Sequence, residues 1–151
     1  MSFYDYEADA ERVFRVVADG GLAIIPCSIG YAIVGVTPAA INRAFEAKRR
    51  SPFKLNALTG CRALHLALHD VDTRGRAVVR AITEDLDLPL GTVARYRSEH
   101  PMVRRIPPEV LAQSTREGTV AMLVNAGPFL EALGWLSFTH ESPIIGSSAN
   151  L

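Results

Sequence analysis

The chain has 151 residues, 48% of them hydrophobic and 21% charged, and its 16 basic and 16 acidic side chains leave no net charge. Enough apolar surface exists to offset ordering entropy, which excludes disorder as the main state, and two cysteines without a CxxC spacing exclude a disulfide framework. Zero net charge argues neither for nor against nucleic acid, because basic side chains still gather locally, in Lys48–Arg50 with Lys54, in 74–80 and in 95–105. No apolar run approaches the roughly 20 residues that span a bilayer. The acidic start lacks the basic and apolar regions of a signal peptide, so a cytoplasmic protein away from membranes is expected.

In chain order, Ala10, Val13, Phe14 and Val17 predict a helix over 8–19, stopped by Gly20-Gly21. The apolar run 22–25 predicts a buried strand bounded by Pro26, then a loop over 27–30 and a second strand over 31–36. Thr37-Pro38 is a helix start, a hydroxyl cap followed by proline at the first position. Ile41, Ala44 and Phe45 give this helix its buried face, and Pro52 predicts its end near Arg50. Residues 63–68 read as a strand, and Val78, Val79, Ile82 and Leu86 as a helix. A strand is expected over 90–94, a loop over 98–107 and a short helix over 108–117. Another strand is expected over 119–124, then a short helix over 128–133 ended by Gly134. Ile144-Ile145 then leads into a Gly-Ser-Ser-Ala-Asn turn over 146–150. Alternating strands and helices imply a single α/β domain with a twisted mixed sheet flanked by helices.

Three segments carry possible chemistry. Lys48 lies seven residues beyond Ile41, so its stem follows the buried face and its head reaches over a cleft. With Arg50 and Lys54 it would suit phosphate, although cations at a helix C-terminus are also stabilising by themselves. Ser147, Ser148 and Asn150 follow a strand, where α/β folds bind ligands, and offer small donors; a plain turn uses the same residues. Tyr31 could wall a small ligand beneath the 27–30 loop. His65 and His69 have the spacing of metal ligands on a helix, but the strand reading leaves no metal site. Cys27 reads as a small packed thiol and Trp135 as packing.

Taken in order, Gly-Gly-Leu-Ala-Ile-Ile-Pro with Tyr31, then Lys48-Arg49-Arg50-Ser51-Pro52-Phe53-Lys54-Leu55, then Ser147-Ser148-Ala149-Asn150-Leu151, resemble the YrdC-like family. That family shows an apolar strand into Pro-Thr-Asp-Thr-x-Tyr-Gly-Leu, then Lys-x-Arg followed by Lys-Pro-Leu, then Ser-x-Asn. The resemblance runs from about residue 20 to 151. It implies the family's α/β fold with a concave, positively charged cavity, over a single domain 1–151 shortened at its carboxyl end relative to the family. The implied activity is L-threonylcarbamoyladenylate synthesis from ATP with Mg²⁺, L-threonine and bicarbonate, with a partner protein transferring the product to tRNA. Lys48, Arg50 and Lys54 would then hold phosphates or the adenylate. Ser147, Ser148 and Asn150 would bond nucleotide or substrate oxygens, and Tyr31 would line the amino-acid side. The chain departs from the family at Cys27-Ser28-Ile29, where Thr-Asp-Thr stands, at Ala32 for Gly, and at Leu123 for an Arg. These departures point to an acceptor other than threonine, or to a non-catalytic paralogue that binds nucleotide, tRNA or double-stranded RNA.

Overall fold

A computed structural model describes residues 4–49 and 54–149. Helix α1 (Tyr6–Ala18) is capped by Asp5, whose side chain accepts from the Ala8 amide. Strands β1 (Ala23–Cys27) and β2 (Gly30–Gly35) then form an antiparallel hairpin that turns at Ser28-Ile29. The first strand runs through Pro26 instead of stopping at it. Strand β1 is the sheet edge, where a proline without an N–H is tolerated. Helix α2 (Pro38–Lys48) starts as the sequence predicts, with the Thr37 hydroxyl accepting from the Ala40 amide, and closes at Arg49 in the left-handed conformation.

The short strand β3 (Ala57–Thr59) leads directly into helix α3 (Arg62–Leu68). This corrects the strand expected over 63–68. The buried positions Cys61, Leu64, His65, Leu68 and His69 follow helical spacing, and the Cys61 thiol caps the first turn by accepting from the Leu64 amide. Helix α4 (Thr73–Arg80) continues as a π-helical turn over Ala81–Asp85. Strand β4 (Leu90–Arg95) falls where expected. The segment expected as a loop contains the one-turn helix α5 (Pro101–Arg104). Helix α6 (Pro108–Ala112) is shorter than expected, because the chain turns into the two-residue strand β5 (Thr115–Arg116).

Strand β6 (Thr119–Val124) matches its expectation. Helix α7 (Pro128–Thr139) continues through Gly134, whose missing side chain serves packing and not termination. Strand β7 (Ile145–Ser148) takes in Gly146, Ser147 and Ser148, so the expected turn is the strand itself.

The open seven-stranded sheet runs β1-β2-β7-β3-β6-β4, with β5 paired to β6 beside this path. Among the described residues only β3 and β6 pair in parallel; the other pairs are antiparallel, so the sheet is mixed, as the alternation of elements implied. One core cluster joins Ile41, Leu58, Leu64, Met122 and Ile145 under α2 and α3. The second joins Val17, Ile25, Val34, Leu130 and Leu133 under α1 and α7. Residues paired across neighbouring strands share a face, so the register fixes which cluster each strand residue serves. No helix among the described residues is long and apolar enough to cross a membrane.

Candidate functional site

The centre of interest is the carboxyl end of β7. Ser147 lies opposite Ile33, and Ser148 opposite Ala32, so the two serines face opposite sides of the sheet. Lys48, two helical turns beyond Ile41 on the buried side of α2, reaches the Ser147 side. Its Nζ donates to Ser147 Oγ at 3.3 Å and to the Ser148 carbonyl oxygen. The lysine is only 9% exposed, and these two bonds hold its ammonium at this strand end. On the other side, the Ala149 amide donates to the Tyr31 carbonyl at 2.7 Å and binds the end of β7 to the hairpin. Lys48, Ser147, Ser148 and Tyr31 are therefore drawn together.

Lys54 is exposed and does not line the cavity that opens beside these residues. Arg50 and Asn150 lie outside the described residues.

That cavity, about 150 Å³, lies on the sheet face that carries α7. Its walls include Cys27 and Ile29 from the hairpin, Ala32 and Val34 from β2, Leu123 from β6 and Leu130 from α7. Thr59, Ser147 and Ser148 also reach it. Ile29 and Tyr31 stand at its mouth, 64% and 61% exposed. The hairpin turn is pinned by the Ser28 amide donating to the Ala126 carbonyl at 2.8 Å, just before α7. The Cys27 thiol is 3.4 Å from the Gly30 carbonyl.

Four of the positions at which the chain departs from the YrdC-like pattern, Cys27, Ile29, Ala32 and Leu123, thus line one cavity. Sequence reading assigned no role to Thr59 or Leu130. Thr59 ends a three-residue strand with no periodicity to mark it, and Leu130 looks like any core leucine of a helix.

The two histidines form a separate interior pair. His65 and His69 are each 1% exposed, and their Nδ1 atoms are 2.9 Å apart. Burial, aided by Arg76, pushes the His65 pKa down. Burial, followed by the His65 and Arg97 charges, pushes His69 down to about 4. The helix supplies the spacing that the strand reading denied, yet no group of three His, Cys, Asp or Glu capable of holding a metal forms among the described residues. Burial pushes the Cys61 thiol up and keeps it protonated at neutral pH.

No protein-family model matches the chain, and no curated protein sequence matches it. Solved structures do. The hypothetical protein smu.1377c of Streptococcus mutans superposes with a TM-score of 0.78 at 22% identity, over 93% of this chain and 56% of that one. YciO of E. coli gives 0.64 at 18% identity, over 93% and 63%. Sua5 of P. abyssi, complexed with L-threonine, gives 0.66 at 22% identity, over 95% and 39%. This chain therefore spans between about two-fifths and two-thirds of the proteins it superposes on, and it shares their fold.

Proposed function

We propose that the chain is a nucleotidyltransferase of the threonylcarbamoyl-AMP synthase type, whose cavity receives an amino acid beside the cationic end of β7. The observation that carries this reading is the junction of Lys48 with Ser147 and Ser148, which brings together two segments about 100 residues apart in sequence; both serines also border a cavity of amino-acid size, which Lys48 itself does not line. The fold shared with Sua5, which was solved with L-threonine bound, supports an amino acid as one ligand. Lys48 fixes a positive charge behind the end of β7, on the sheet face opposite the cavity, and would favour an anion that approaches that strand end.

ATP with Mg²⁺ does not fit inside this cavity, which is smaller than the roughly 300–1,000 Å³ of pockets that enclose drug-sized ligands. A nucleotide would have to lie outside it, against the exposed end of β7.

A second reading, nucleotide or RNA binding without turnover, is favoured by a different observation. Arg74, Arg80 and Arg95 are exposed and enter none of the ion pairs found among the described residues. Cations in that state are available to phosphates. Pyrophosphate release from ATP in the presence of bicarbonate and each amino acid in turn separates the two. Release that requires one amino acid is the expected result. ATP or tRNA binding with no release under any amino acid would leave only the binding reading.

A further inference from the structure

Resting on the amino-acid reading of this cavity, we propose that it selects a small branched aliphatic side chain, of the valine or isoleucine kind, over the isosteric threonine. Space is the first argument. About 150 Å³ is the share of roughly five waters at about 30 Å³ each, enough for a branched hydrocarbon group and too little for a large ring system.

The walls are the second. Val34 and Leu130 are each 1% exposed, so the back of the cavity is held rigid by the core behind it. Ala32 and Leu123 continue that apolar surface along the sheet, and Ile29 extends it over the mouth. Ile29 and Tyr31 remain more than half exposed, which leaves apolar surface at the mouth that an aliphatic ligand would cover.

The polar groups are the third argument. Ser147 belongs to the opposite face, with Ile33 and Ile145, and its Oγ already accepts from Lys48. Ser148 is exposed at the strand end. The Cys27 thiol is turned to the Gly30 carbonyl. Thr59, 6% exposed and directly across from Leu123, adds a hydroxyl to the buried inner wall, while Ser148, on the same face opposite Ala32, stands at its exposed end. A ligand hydroxyl would give up water for a mostly apolar lining, whereas a methyl in its place loses nothing. Pockets of this kind discriminate by roughly 10- to 100-fold against a hydroxyl isostere.

The test uses the intact chain. Calorimetric titration with L-valine, L-isoleucine, L-threonine and glycine ranks affinities, and the rate of Cys27 modification by a thiol reagent reports where they bind. Cys61 is 3% exposed and contributes little to that rate. Valine or isoleucine should bind roughly 10- to 100-fold more tightly than threonine and slow Cys27 modification in the same order. Leu123→Thr, which adds a hydroxyl to the wall, should narrow the gap. Threonine binding as well as or better than valine, with protection of Cys27, would overturn the aliphatic preference and leave the amino-acid site standing. No protection of Cys27 by any amino acid at millimolar concentration would overturn both.

Discussion

His65 and His69 share one hydrogen bond between their Nδ1 atoms, at 2.9 Å, in an interior that leaves each ring 1% exposed. One ring must carry its proton on Nδ1 and donate while the other accepts, and burial favours the neutral form of both rings. Protonating the accepting ring on Nδ1 ends the bond, and protonating either ring places a charge in this interior near Arg76 or Arg97. His69 takes up its proton near pH 6.5 when unfolded but only near 4 when folded. Stability is therefore complete above about pH 6.5 and declines as pH falls toward 4, by about 3 kcal/mol for His69. Urea midpoints measured across this range should fall with pH at constant slope. In His69→Gln, which keeps a partner for His65, the profile between pH 6.5 and 5 should flatten. An equal pH dependence in this variant would mean that the histidine pair does not control it.

Gly134 sits in the middle of α7 because the helix presses there against the backbone after β3. A methyl group at this position would meet the Gly60 carbonyl and come within 2.8 Å of the Cys61 amide nitrogen. Backbone cannot move aside as a flexible side chain can. Gly134→Ala, which in an exposed helix would stabilise, should here destabilise by about 1–3 kcal/mol in denaturant unfolding. A stabilised variant would mean that α7 does not lie this close to β3.

Much of this architecture was legible in the residues. Thr37-Pro38 announced α2 through cap chemistry, and the apolar run at 119–124 announced a strand, because both signals are local. One error misread a local signal, and others came where tertiary contact set the outcome. Reading 63–68 as a strand weighed its apolar content and overlooked the helical spacing of 61, 64, 65, 68 and 69. Gly134 looked like a helix stop because the close approach of Gly60, 74 residues earlier, has no local trace. At the site, Lys48 and the serines were legible as a pair of cation and small donors. Their meeting on one strand end depends on the β2–β7 register, and the α7 wall of the cavity depends on how that helix crosses the sheet. Neither is written in any short segment.

Removing Lys48 should cost stability as well as ligand affinity, since the side chain holds the end of β7. Lys48→Met keeps the buried stem but leaves Ser147 Oγ and the Ser148 carbonyl without their charged donor. Hydrogen bonds from charged groups contribute about 1.5–3 kcal/mol, and a loss in that range is expected in urea unfolding. The same variant should weaken amino-acid binding. Unchanged stability would show that the ammonium is not engaged with β7.

Gly146 tests whether the cavity depends on the spacing of β2 and β7. It lies opposite Val34 in the register and also pairs with Ala57, so the strand is flanked closely on both sides. An added methyl group would meet the Ile33 carbonyl and stand 2.7 Å from Val34 Cγ1. The strands would have to part, and Val34 would have to move within the wall it forms. Gly146→Ala should therefore lower stability by about 1–3 kcal/mol and weaken amino-acid binding together, because one displacement disturbs both. Val34→Ala enlarges the space without pushing the strands apart and serves as the control. If Gly146→Ala loses stability but binds amino acids as the wild type does, the ligand sits elsewhere than against β2 and β7.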